Sequence, residues 1–367
     1  MTRAMPHDLA ISVAAKPGTD VILSRDQGER RHPMRGYDET YVDVVDFIIR
    51  VTHRIWEEKD IGHIYDTYRH NCRVTDDYGL QYGRDKIVAD TVHTINAFPD
   101  VRLYADEVIW AGDEDAGFET SHRTVIVGHN TGYSKYGPPT GRKVVVWAIA
   151  NCSSRENEFY EEWVLYNNSS LLRQLGFDLR RLARDMGNAA HLDPLGDKRF
   201  GEAERVLGQG KPARLPAAEH DGFDPGDFVR RMWHDTWNWR NLSTIDRAYA
   251  PNVRWLGPTD RQLRGRGDLK SFVLSMLAMF PDLAIAVEDA YWMGNEADGF
   301  LVSVRWSGLG THRGHGVYGA PTGRRIALWG ISQHRVERGC ITQEWTLFNE
   351  FEVLQQILRD EPVAGAA

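Results

Sequence analysis

Slid against itself, the sequence matches at an offset of 182 residues. Phe98-Pro99-Asp100 falls on Phe280-Pro281-Asp282, Trp110 on Trp292, Gly117-Phe118 on Gly299-Phe300 and Arg123 on Arg305. The same register carries Tyr136-Gly137 onto Tyr318-Gly319, the Pro-Thr-Gly-Arg of 139–142 onto 321–324, and Trp147 onto Trp329. It also carries Glu162-Trp163 onto Glu344-Trp345 and Asn167 onto Asn349. Upstream the offset is 181, pairing His53 with His234, Trp56 with Trp237 and Tyr68 with Tyr249, so one residue is gained in between.

Such a period is far longer than the roughly 20–50 residues of a solenoid unit, so each copy must be a whole domain with its own core. The expected layout is an N-terminal arm (1–36), a first domain (37–177), a linker (178–223), a second domain (224–360) and a short tail (361–367). The linker is rich in Arg, Asp, Ala, Gly and Pro, with turn signals at Asp193-Pro194-Leu195-Gly196. It has room for one short helix near Asp178 to Met186.

Within a copy, Val44, Val45, Phe47, Ile48, Val51, Ile55 and Trp56 recur at helical spacing, and Phe228 to Trp239 repeats the pattern. A short helical turn follows (Ile61 to Tyr68; Ser243 to Tyr249). A third helix (Arg84 to Ala97; Gly267 to Met279) stops at Phe-Pro-Asp. From there the period shortens: Val101 to Trp110, Gly117 to Gly128, Lys143 to Cys152 and Phe159 to Asn167 read as consecutive strands. Helices first and strands afterwards predict an α+β domain, three helices packed on a strongly curved mixed or antiparallel sheet whose open end is a ligand pocket.

The net charge of −8 gives no electrostatic footprint for a nucleic-acid partner. Cys72, Cys152 and Cys340 are odd in number and outside any CxxC spacing, which points away from disulfides and zinc knuckles and towards a reducing cytoplasm. The apolar stretch Leu9 to Ala15 is too short and too polar at its edges for a signal or a membrane span, so no membrane partner is expected.

The order Phe-Pro-Asp, an arginine-bearing strand, a Gly-rich run with histidine (Gly128-His129-Asn130; Gly310-Thr311-His312), Pro-Thr-Gly-Arg, Glu-Trp and Leu171-Leu172-Arg173-Gln174-Leu175-Gly176 resembles the SnoaL-like branch of the nuclear transport factor 2-like superfamily. The resemblance covers about 44–176 and 226–358. It implies two tandem cone-shaped domains, a small oxygenated organic ligand, no metal and no cofactor. It also implies acid–base chemistry, which in founding members is the intramolecular aldol cyclisation of a polyketide ester. Pairing through outer sheet faces implies an internal pseudo-dimer, and a homodimer is a further option. The family's terminal-strand aspartate is replaced here by Asn167 and Asn349, which cannot shuttle a proton.

Other groups are therefore candidates. Asp76 and Asp77, absent from the second copy, read either as a general base in an apolar cavity or as turn aspartates. His129 reads either as a proton relay at the rim or as a solvated loop residue; His312 lies one step out of register with it. His312 and His315 lack the carboxylates a metal site needs. Arg123 and Arg305 are expected to pair with Glu162 and Glu344, or to bind a substrate carboxylate. Tyr78, Tyr136, Asn167 and Asn349 join Trp56, Trp147, Trp163, Trp237, Trp329 and Trp345 as the expected pocket lining, with core packing the alternative for the tryptophans. The expected function is proton-transfer chemistry of cyclase, isomerase, lyase or dehydratase type on a small oxygenated substrate. The rivals are a non-catalytic binding or scaffolding protein and an epoxide or ester hydrolase.

Overall fold

The computed structural model of the chain describes residues 2–4, 18–24, 28–189, 212–218 and 222–359. Expectations for most of the N-terminal arm, for the linker at 190–211 and for the tail lie outside the described residues.

The first repeat opens with helix α1, Val44–Trp56, whose N-cap Asp43 accepts from the Asp46 N–H at 2.7 Å. Its apolar stripe, Val44, Phe47, Ile48, Val51 and Ile55, is buried. Two short turns, Ile61–His63 and Ile64–Thr67, lead into strand β1 (Tyr68–Asp76) and its hairpin partner β2 (Gly79–Tyr82). Helix α2 spans Arg84–Ala97, and Phe98 before Pro99 ends it. The long meander follows: β3 (Arg102–Asp113), β4 (Gly117–His129), β5 (Lys143–Arg155) and β6 (Glu158–Tyr166). The sheet order is β2-β1-β6-β5-β4-β3, antiparallel except where β1 lies parallel to β6.

In the β3–β4 turn, Asp113 accepts from the backbone N–H groups of Asp115 and Ala116 at 2.9 and 2.7 Å. Gly112 has φ 107°, and a Cβ there would stand 2.1 Å from the Gly117 carbonyl, so only glycine fits.

The helices Asn168–Leu175 (α3) and Leu179–Ala189 (α4) come next in the chain. The second repeat then carries α5 (Pro225–Trp233), β7 (Tyr249–Leu256), β8 (Gln262–Arg264) and α6 (Gly265–Met279). It is completed by β9 (Ala284–Asn295), β10 (Gly299–Thr311), β11 (Arg325–Glu337), β12 (Cys340–Phe348) and α7 (Glu350–Leu358). Its six strands follow the first repeat's order, with β7 parallel to β12. By contacts the chain divides into two units, residues 1–167 with 291–303, and 168–290 with 304–367. α3 and α4 thus belong to the second unit, where Arg180 of α4 donates to the Tyr318 carbonyl at 2.8 Å.

Each repeat is α+β, as expected, with one strand pair beyond the expected four. β1, β2 and their counterparts escape sequence patterning because β1 is polar and irregularly buried, held by parallel pairing to a strand far along the chain. The helix expected over Phe228 to Trp239 is regular only to Trp233 and continues as a π-turn, His234–Asn238.

Candidate functional site

Alternate side chains of a strand face opposite sides of a sheet. In the second repeat a hollow between helices and sheet is lined from β10, β11 and β12 by Trp306, Leu328, Glu344, Thr346 and Phe348, all at even positions, and from β7 and β9 by Tyr249, Trp255 and Ile285. It is bordered mainly by aromatic and aliphatic side chains. The register places Thr124, Val146, Glu162, Val164 and Tyr166 on the same inward face of the first repeat.

The two inward glutamates have unlike surroundings. Glu344, 3% exposed, accepts from the Tyr249 hydroxyl at 2.6 Å, from Trp255 Nε1 at 2.9 Å and from the Thr346 hydroxyl at 2.7 Å. His334 Nε2 lies 3.6 Å from it and accepts from Trp233 Nε1. At those places the first repeat has Tyr68, Val74, Val164 and Cys152. Of the donors only the tyrosine is kept, and its hydroxyl reaches Glu162 Oε2 at 3.1 Å. Burial with so little compensation pushes the Glu162 carboxyl up to about 7; the Tyr68 hydrogen bond opposes the rise, and the nearby Asp76 adds to it. Glu162 keeps more accessible surface than Glu344.

The space beside these acids differs as well. Trp233, Trp255, Phe272 and Trp306 crowd the second hollow where the first repeat has Thr52, Val74, Asp90 and Thr124. Two of these tryptophans lie on glycines. A Cβ on Gly330 would stand 2.3 Å from Trp306 Cζ2, and one on Gly257 1.9 Å from Trp255 Cη2. The first repeat carries Ala148 and Asp76 there. Trp56, Tyr68, Ala150, Glu162 and Tyr166 accordingly keep accessible surface, whereas Tyr249, Ser332, Glu344 and Phe348 are buried.

The rims diverge in parallel. Glu350 accepts from Tyr318 at 2.8 Å, from Arg261 at 2.9 Å and from the Thr259 hydroxyl, a buried network over the second repeat. In the first repeat the Tyr78 hydroxyl donates to that of Tyr136 at 3.0 Å, with Lys135 Nζ 3.8 Å from the Tyr78 ring centre. Among the described residues no group of three His, Cys, Asp or Glu is placed to hold a metal ion.

A family model described as SnoaL-like polyketide cyclase matches residues 47–175 and again 227–357. The chain belongs to that family.

Solved structures similar to this SnoaL-like chain include a SnoaL-like protein from Jannaschia sp. CCS1, 16% identical over 38% of this chain and 98% of its own, TM-score 0.33. TsrD from Streptomyces laurentii is 20% identical over 36% and 94%, TM-score 0.32. A protein with a ketosteroid isomerase-like fold from Catenulispora acidiphila is 19% identical over 36% and 93%, TM-score 0.30. Comparison with curated proteins gives no match.

Asp76 and Asp77 sit at the β1–β2 turn of the SnoaL-like first repeat. Asp76 accepts from the backbone of Tyr78 and Gly79 at 2.7 and 3.1 Å and from Gln81 at 3.0 Å, the bonding of a turn aspartate. Asp77 is buried beside it. His129 is exposed and tied to Asp100, through its backbone N–H at 2.7 Å and its ring at 2.6 Å. Thr311 makes the same two bonds to Asp282, at 2.7 Å each. The aspartate of Phe-Pro-Asp is therefore a clasp on the strand end, and His129 serves it as a hydroxyl does in the other repeat. His312 replaces Asn130: the backbone of each exchanges hydrogen bonds with the Pro-Thr-Gly-Arg turn.

Arg123 pairs with Asp106 at 2.6 Å, not with Glu162, because odd positions of β4 point away from the inward face. The alternation puts Arg305 on that outer face too, together with Trp147, Trp163, Trp329 and Trp345. Asn349 closes the last strand, its Oδ1 accepting from the Trp329 N–H at 3.0 Å, and Asn167 donates its N–H to the Trp147 carbonyl at 3.1 Å. Trp56 and Trp237 lie on the inward side, Trp237 lining the second hollow. Glu162 was legible as a repeated Glu-Trp, but its inward position was not, because an arginine partner was expected for it.

Proposed function

We propose that the first repeat carries out acid–base chemistry of cyclase or isomerase type on a small, enolisable oxygenated substrate, with Glu162 as the group that moves the proton. What supports this reading is the contrast between two equivalent glutamates, one saturated with donors and one left with Tyr68 and pushed up to about 7. A carboxyl poised near the working pH is matched to taking a proton from carbon beside a carbonyl and giving it back. In an aldol closure the ionised Glu162 removes an α-proton, and the enolate carbon bonds to a second carbonyl carbon. The resulting alkoxide then recovers the proton from Glu162. In an isomerisation the proton returns to a different carbon. Trp56, Tyr68 and Tyr166 supply apolar walls that suit a flat ring and keep water scarce.

The test is α-deuterium exchange of 2-tetralone in D2O, followed by proton NMR. Exchange should rise with pH to a plateau with a midpoint near 7, because the base must be ionised. Glu162→Gln should remove it, by roughly 100-fold or more. Exchange that persists in Glu162→Gln would refute the assignment.

The second repeat favours a different role. Its acid is engaged by three donors and three tryptophans, Trp233, Trp255 and Trp306, stand in its hollow, so a packing role suits it better than turnover.

A further inference from the structure

His122 stands on β4 at an even position, cross-strand from Val108 and Ala150, and so on the inward face with Glu162. It is 4% exposed, and its Nε2 has no hydrogen-bond partner among the described residues. A buried imidazole nitrogen left without a partner is costly unless something else fills the role.

The second repeat shows what could lie there. Trp306 covers Gly330 and donates to the Ser332 hydroxyl at 3.1 Å, so its indole occupies the volume over these two residues. The corresponding first-repeat residues are Thr124, Ala148 and Ala150, which leave that volume to other atoms, and Ala150 keeps accessible surface. His122 borders it as the cross-strand neighbour of Ala150. In the second repeat, where the indole fills the space, the equivalent residue is Val304, which has no donor.

Glu162 pairs with Cys152 on β5, which puts it two strands from His122 and one inward step along the sheet. Strand spacing of about 4.8 Å and a rise of about 3.3 Å per residue put the two Cβ atoms on the order of 12 Å apart on a flat sheet. Each side chain reaches inward, so the remaining gap suits a C–H bonded to a carbonyl.

We infer that His122, with its proton on Nε2, donates a hydrogen bond to the substrate carbonyl oxygen as Glu162 withdraws the neighbouring α-proton. The inference rests on the role given to Glu162 above. Charge released from the broken C–H bond flows onto that oxygen. The proton goes to Glu162, and His122 keeps its own. Burial holds the imidazole down to about 4, so it stays neutral and acts as a donor without competing for the proton.

Two variants and one spectrum test this. In 2-tetralone exchange, His122→Val, which borrows the residue of the second repeat, should lower kcat roughly 100-fold with KM little changed. The pH midpoint set by Glu162 should stay in place, and His122→Gln, which restores a donor, should recover part of the loss. Exchange lost in Glu162→Gln but intact in His122→Val overturns the role of His122 alone. Exchange intact in Glu162→Gln removes the Glu162 reading instead, and the spectrum then decides for His122. With 2-naphthol as an enolate mimic, the nitrogen-15 spectrum should show His122 protonated on Nε2 and that N–H moving downfield on binding. Failure of naphthol to bind, or an unmoved His122 signal at saturation, overturns the inference.

Discussion

A carboxyl that binds its proton more tightly in the folded chain than in the unfolded one stabilises the fold at low pH only. For Glu162 the folded value is about 7 against an ordinary 4.5, so folding takes up a proton between those values. Stability from this group falls as pH rises through that window, and the penalty is complete above 7. Glu162→Gln should therefore match the parent at pH 4 and exceed it at pH 8 by roughly 1–3 kcal/mol. Glu344→Gln should do the reverse, costing roughly 2–3 kcal/mol at pH 8, because an amide nitrogen would face donors that now meet a carboxylate oxygen. Urea titrations at both pH values read the two signs directly, and equal signs would sink the contrast. Glu-Trp recurs in the sequence, yet neither sign can be read there: the tyrosine donor lies 95 positions from Glu344 and 94 from Glu162.

Among the elements, the inward face of the sheet carries the difference between repeats, through pairs of residues that trade volume. Trp306 with Gly330 in one repeat stands where Thr124 with Ala148 stands in the other. Close packing makes such swaps interdependent. Gly330→Ala should cost roughly 1–3 kcal/mol because its methyl would enter the Trp306 ring. Ala148→Gly should cost roughly 1–2 kcal/mol, the backbone-entropy loss plus one buried methyl, with no clash to relieve. Denaturant midpoints of the two variants check this, and a neutral Gly330→Ala would mean that Trp306 has room to move. Helix α2 and the four-strand meander were legible from spacing because their side-chain periods are local. Strands β1 and β2 were not, since a polar strand held by parallel pairing leaves no local period.

Across the whole molecule, one repeat whose acid is raised to about 7 and one whose acid is saturated with donors predict a single working site per chain. Isothermal titration with 2-naphthol should give a stoichiometry of one. A value of two would show that the second hollow opens despite its tryptophans and the Glu350 network.

The sequence by itself determined the duplication, the α+β class and the family, because these follow from spacings that recur along the chain. It did not determine what surrounds each acid. Asp76 and His129 look reactive as letters, but their polar atoms hold a turn and a strand end. Glu162 and Glu344 look identical as letters. Proton affinity is set by the atoms gathered around a carboxylate, and for these two glutamates strand pairing brings those atoms from β1 and β7, far away in the chain, so tertiary structure alone surrounded Glu344 with donors and raised the Glu162 carboxyl.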